Sequence, residues 1–155
     1  MRWLLLLLFS SSGYAHNYDI KDFLKEERVD SITCLAYNAY HEARGEANLA
    51  NIVIMSTVMN RVASPIYEDT VCGVIKEHKQ YSWTSDGRSD AIPEKRRDRY
   101  DRLYRLAEYF LIHKDELILL ADGATHYHAT RIRPYWYKTK QRLFVLGNHI
   151  FYRNK

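Results

Sequence analysis

The chain has 155 residues, 46% of them apolar and 27% charged, which suits one domain with a buried core and leaves no room for two. Its formal net charge of +4 favours any anionic polymer, whether nucleic acid, a membrane surface or an acidic wall, and so excludes few partners. Aromatic residues are plentiful, led by 13 Tyr, and large amphipathic rings often sit at binding surfaces.

At the N-terminus Met1-Arg2 supplies a positive charge, residues 3–9 form an unbroken apolar run, and small residues stand at Gly13 and Ala15. This pattern predicts a secretory signal over residues 1–15, cleaved after Ala15. The run is far shorter than the ~20 apolar residues of a membrane span. No cysteine follows it, which argues against a lipoprotein, and no later segment is apolar for long enough to cross a bilayer. The expected mature protein is soluble, without stable membrane insertion, and lies in the periplasm or outside the cell.

Residues 16–27 are polar and predict a short lead-in helix, within a lead-in segment over 16–30 that precedes a single domain over 31–155. Asp30-Ser31 offers an N-cap before Ile32, Leu35, Ala36, Ala39 and Ala43, which share one helical face. Gly45 is the stop signal. Residues 49–62 predict a second helix whose apolar residues cover most of its circumference, as in a buried central helix, and Ser64-Pro65 ends it. Residues 70–76 predict a short helix carrying Cys72. Residues 81–84 read as extended and Ser85-Asp86-Gly87 as a turn.

Residues 94–120 are helical in pattern. The basic run Arg96, Arg97, Arg99, Arg102 and Arg105 alternates with acids and reads as a solvated face laced with ion pairs rather than a polyanion strip. Residues 124–129, 142–146 and 149–153 are short, β-branched or aromatic, and separated by Asp122-Gly123, Pro134 and Gly147-Asn148. They predict the strands of a small antiparallel sheet, and helices first with strands last make an α+β domain. The two cysteines, Cys34 and Cys72, predict one disulfide in an oxidising compartment, two buried thiols being the alternative. A bridge of that span stabilises by roughly 4 kcal/mol in the chain-entropy model.

Ionisable groups concentrate in residues 38–46. At 100° per residue Glu42 lies about 20° from Leu35, at the margin of the apolar face, with Asn38 one turn behind it. Partial burial raises a carboxyl pKa and keeps an acid protonated for donation to a leaving group. The competing reading pairs Glu42 with Arg44 or Arg61. A zinc-protease helix starting at His41-Glu42 requires histidine at position 45, which is Gly45. His126 and His128 alternate on a strand and face one side, as two metal ligands do, with Glu42 or His149 to complete a set. No phosphate loop or nucleophile elbow is present.

The blocks Cys34-Leu35-Ala36, Tyr40-His41-Glu42-Ala43-Arg44-Gly45-Glu46 and Val58-Met59-Asn60-Arg61-Val62 resemble the opening of the SleB-type cell wall hydrolases. Thr70-Val71-Cys72-Gly73-Val74-Ile75, Gln80-Tyr81-Ser82-Trp83, Ala124-Thr125-His126-Tyr127-His128-Ala129, Pro134-Tyr135-Trp136 and Gly147-Asn148-His149-Ile150-Phe151-Tyr152 continue the resemblance in family order. It implies a lysozyme- and lytic-transglycosylase-like fold, with a helical core and a small antiparallel sheet in the C-terminal third. It implies cleavage of peptidoglycan between N-acetylmuramic acid and N-acetylglucosamine, with Glu42 as the acid.

A hydrolytic glycosidase ordinarily needs a second carboxylate, for which Glu46 is nearest in sequence. A lytic transglycosylase needs none and is the simpler fit. Tyr81, Trp83, Tyr127 and Trp136 are expected to stack on sugar faces, and Gln80, Thr125, His126 and His128 to bind hydroxyl or N-acetyl groups. Asn38, Glu46 and Arg61 are expected in support. The expected partner is peptidoglycan, met by a monomer without nucleic acid, cofactor or metal. A zinc amidase or peptidase on the stem peptide, using His126, His128 and His149, is the enzymatic rival. A non-catalytic wall-binding protein is the third reading.

Overall fold

The computed structural model describes residues 20–43, 45–77, 81–84, 86–87 and 89–155. The expected signal segment, Arg44, Gln80 and Ser85 lie outside them.

Helix α1 (Ile20–Ala43) runs without a break through positions 30 and 31, so the expected N-cap there is not one, and the lead-in helix and the helix after it are one element. Asp and Ser cost only a few tenths of a kcal/mol inside a helix. That is less than the continuous helix gains by burying Ile32, Leu35, Ala36, Ala39 and Tyr40. Helix α2 (Asn48–Val62) is the central element expected, buried on almost every side. Its buried hydroxyls are satisfied within the fold: Thr57 Oγ1 donates to Val53 O at 2.9 Å, and Ser56 Oγ lies 2.9 Å from Ile52 O and 3.1 Å from Leu117 O.

Helix α3 (Val71–Lys76) is capped by Thr70, whose Oγ1 accepts from Gly73 N at 3.0 Å. The expected disulfide between Cys34 and Cys72 is present, with Cα atoms 5.5 Å apart, and it staples α3 to α1. Residues expected to be extended at 81–84 instead form a 3-10 turn over Ser82–Thr84. Both Thr84 N and Thr84 Oγ1 donate to Tyr81 O, so a local bond wins over the strand preference of the aromatic residues.

The long helix expected over 94–120 is divided. A 3-10 turn leads into α4 (Arg97–Ile112), His113 leaves helical geometry at φ −107° and ψ 24°, and α5 (Lys114–Leu117) follows with a last 3-10 turn. The bend brings Leu117 against α2, a contact that one straight helix would miss. The arginine face of α4 is solvated as expected, but it is not laced with ion pairs. Among the described residues only Arg97 and Glu94 pair on it, at 3.7 Å.

Strands β1 (His126–Ala129), β2 (Gln141–Leu146) and β3 (His149–Arg153) form the expected antiparallel sheet, in the order β1-β3-β2. The β2–β3 hairpin turns on Gly147-Asn148, with Gly147 at φ +55°, a geometry that glycine adopts without strain. Phe151 on the middle strand is fully buried against Ala43, Val53, Ile54 and Ala124, which docks the sheet on the end of α1 and the middle of α2. A second core joins α1, α2, α3 and α4 through Leu35, Met55, Val74, Ile75, Leu103 and Phe110. Among the described residues no helix is long and apolar enough to cross a membrane.

Candidate active site

The C-terminal end of α1, the end of α2 and one edge of the sheet enclose a cleft of about 710 Å³. Glu42 lines it from the last turn of α1, Arg61 from α2 and Tyr127 from β1, with Tyr81 alongside. Because strand side chains alternate, Tyr127 faces the helices while His126 and His128 lie on the other face of β1, His128 at the edge where it still lines the cleft. Tyr127 O–H donates to Glu42 Oε2 at 3.3 Å, and its ring is braced edge-on by His149 at 5.4 Å and at a tilt by Phe151 at 5.6 Å.

Burial pushes the Glu42 carboxyl above its ordinary 4.5. The Tyr127 hydrogen bond and the charge of Arg61 oppose that rise without cancelling it. Burial also lifts Tyr127 well above 10.0 and Tyr81 to about 12, so both hydroxyls stay protonated. Arg61 is 4% exposed. Its Nε donates to Thr125 O at 2.6 Å, and its guanidinium lies over the rings of Tyr81 at 5.2 Å and Tyr67 at 5.5 Å. These contacts hold it as a fixed cation near Glu42, with no ion pair between the two among the described residues.

Glu46 also lines the cleft, but its carboxylate is tied down. Asn148 Nδ2 donates to Glu46 Oε1 at 2.7 Å, and Oε2 lies so close to Gly147 that a Cβ there would collide with it. The glycine therefore serves the turn and the approach of Glu46 together. Asn38 is buried one turn before Glu42 and accepts from Trp83 Nε1 at 3.1 Å, while the Trp83 ring stacks on His41 at 4.5 Å.

The residues expected at the site therefore divide. Glu42, Glu46, Arg61, Tyr81, Tyr127, His128 and Trp136 meet at the cleft. Trp83, Asn38, Thr125 and His126 stand behind its walls, and Gln80 lies outside the described residues. His126 and His128 flank Trp136 at 5.2 Å and 5.6 Å. Both His128 nitrogens are engaged, Nδ1 with Ala129 O at 2.9 Å and Nε2 with the Tyr152 hydroxyl at 3.0 Å. His126 Nδ1 lies 2.9 Å from Thr125 Oγ1, and burial, then Arg61 and Lys140, lowers its pKa to about 4. Among the described residues no three His, Cys, Asp or Glu side chains gather as a metal site would require. Arg131, Ile132 and Asn148 also line the cleft. None was singled out from its residue type, although Asn148 falls within the last family-like block.

Similarity to known proteins covers this architecture. A family model described as cell wall hydrolase matches residues 45–152, beginning three positions after Glu42. The spore cortex-lytic enzyme of Halalkalibacterium halodurans is 27% identical over 123 residues, 79% of this chain and 34% of that protein. That of Bacillus subtilis is 36% identical over 58 residues, 37% of this chain and 19% of that protein. The chain spans about a third or less of the length of these relatives.

Among solved structures, the catalytic domain of the Bacillus cereus SleB protein aligns with a TM-score of 0.59 at 25% identity, over 80% of this chain and 90% of that one. The catalytic domain of the germination-specific lytic transglycosylase SleB of Bacillus anthracis aligns with a TM-score of 0.64 at 24% identity, over 80% and 94%. The expected lysozyme-like α+β fold is the one these domains share. Since the family match takes in α2, α3, α4 and all of the sheet but its last residue, the chain belongs to the cell wall hydrolase family.

Proposed function

We propose that the protein is an exported lytic transglycosylase that cuts peptidoglycan between N-acetylmuramic acid and N-acetylglucosamine, with Glu42 as general acid. The observation that carries this reading is a half-buried carboxyl with a raised pKa, held by Tyr127 on the wall of a cleft large enough for sugar rings. Glu42 donates its proton to the glycosidic oxygen as the bond from C1 of muramic acid breaks. The C6 hydroxyl then closes onto C1, and its proton returns to the Glu42 carboxylate, leaving a 1,6-anhydro end and the starting enzyme.

That route needs one carboxylate. The second in the cleft, Glu46, is hydrogen-bonded to Asn148 and serves in our reading to hold the hairpin turn. Trp136 offers a ring for sugar stacking at the cleft, and Tyr81 and Arg61 keep the ground around Glu42 fixed. Residues 1–15 act as the export signal, residues 16–30 as lead-in, and residues 31–155 as the catalytic domain. The relatives' names, spore cortex-lytic enzyme and lytic transglycosylase, support the class of substrate.

Digestion of purified sacculi with the mature chain, read by mass spectrometry, tests the proposal. Anhydro-muropeptides are expected. Free reducing ends instead indicate hydrolysis with Glu46 as second carboxylate. Released stem peptides, abolished by a chelator, indicate the zinc amidase, and no release at all indicates a wall-binding protein.

A further inference from the structure

The positive charge of this protein is not spread evenly. Residues 124–155 contain seven Lys and Arg and no Asp or Glu, so the modest net charge of +4 conceals an acidic excess in the rest of the chain. The fold gathers part of this charge on the sheet. On the face of β1 that turns away from Glu42, a second groove of about 580 Å³ is lined by Arg133, Lys138 and Arg142, with Tyr137, Ile150 and Tyr152.

Arg133 and Lys138 come from the loop between β1 and β2, and Arg142 from β2 itself. All three are exposed, and among the described residues none has an acidic partner within 4 Å. Like charges placed together without counter-ions repel one another, so the arrangement costs stability unless an anion uses it.

The groove is joined to the cleft. His128 and Ile132 line both, and Ile132 separates Arg131, which faces the cleft, from Arg133, which faces the groove. Trp136 stands at the boundary, edge-on to His128 and to Tyr152. A ligand seated in the cleft with an anionic branch would therefore pass that branch over His128 and Ile132 into a basic, tyrosine-walled channel.

A glycan strand of peptidoglycan carries such a branch, because each muramic acid bears a stem peptide with side-chain and terminal carboxylates. We propose that Arg133, Lys138 and Arg142 form a carboxylate-binding subsite for the stem peptide of the strand being cut. The inference rests on the glycan-cleaving reading of the cleft and adds to it a preference for strands with intact peptides.

Two measurements test it. The first is steady-state cleavage of peptide-bearing strands, and of strands stripped of peptides by an amidase, by wild type and by the triple variant Arg133→Gln, Lys138→Gln, Arg142→Gln. On peptide-bearing strands the variant is expected to raise KM roughly tenfold with kcat little changed, as for the loss of a few exposed charge contacts. On stripped strands the two proteins are expected to match. Amidation of the stem carboxylates should bring wild type down to the variant, and Arg133→Lys should keep most of the affinity. Equal losses on both kinds of strand, or no loss on either, would overturn the subsite.

The second measurement is binding of N-acetyl-L-Ala-γ-D-Glu-diaminopimelate, which does not depend on catalysis. Binding by wild type that the triple variant and the amidated peptide both lose supports the subsite even if no glycan is cut, in which case the function proposed above fails and the groove stands. Indifference to the variant, or equal binding of the amidated peptide, overturns the groove even if glycan cleavage is normal. The substituted side chains are exposed, so an unchanged melting temperature is expected for the variant.

Discussion

Glu42 occupies a position where two opposing influences can be ranked. Burial disfavours the carboxylate, while the Tyr127 donor and the Arg61 charge favour it, and burial wins. Replacing Glu42 with Gln is expected to lower cleavage of sacculi by about 10²- to 10⁴-fold, the usual range for a general acid, with the fold unchanged by circular dichroism. Replacing Tyr127 with Phe removes an influence that lowers the Glu42 pKa. The alkaline limb of the activity profile should therefore move to higher pH, at a cost of about 1 kcal/mol in stability for the lost hydrogen bond. A limb that moves to lower pH would contradict this account of the site.

How far such residues were legible beforehand depended on how local their cause was. Helical spacing placed Glu42 at the edge of an apolar face, and the fold finds it half-buried there. Alternation along β1 put His126 and His128 on one side, where both meet Trp136. Trp83 was expected to face the sugar, yet its indole N–H reaches back to Asn38 and its ring covers His41. An aromatic residue serves a cleft or a core equally well, and only the neighbours decide between them.

Elements with punctuation at both ends were readable. Strand β3 was read with its observed limits because Gly147-Asn148 before it admits the turn that a two-residue hairpin needs. Elements marked by composition alone were not. Asp30-Ser31 looked like a helix start and lies inside α1, and residues 94–120 looked like one helix and bend at His113. Two predictions belong here. Gly147→Ala places a Cβ against Glu46 in a positive-φ position, and is expected to destabilise by roughly 1–3 kcal/mol and to lower activity through displacement of the turn. The bond between Cys34 and Cys72 closes 38 residues, so the double Ala variant should lose roughly 4 kcal/mol in denaturant unfolding, most of it by loosening the unfolded chain.

For the molecule as a whole, stability against pH should carry two opposite signatures. Glu42 holds its proton more tightly folded than unfolded, so its contribution is full below about pH 4.5 and is lost as pH rises through the raised folded value. His126 and His149 are lowered, chiefly by burial, His126 to about 4. Their contribution is full above the ordinary 6.5 and is lost as pH falls toward 4. Melting temperatures across pH 4–8 should show Glu42→Gln gaining on wild type as pH rises, and His126→Asn losing the acid-side decline. If neither variant departs from the wild-type curve, burial does not govern these groups.

Read without its fold, the chain determined the α+β plan, the central helix, the disulfide pair and the acid on a helix edge. Each of these follows from interactions within a few residues or from a count. The membership of the cleft was decided only by tertiary structure. Glu42, Arg61, Tyr127 and Asn148 are brought together by docking the sheet on the end of α1 and the middle of α2 through Phe151, a contact that no local pattern encodes. The same docking tied Glu46 to the hairpin turn and left Glu42 as the carboxyl to which we assign the chemistry.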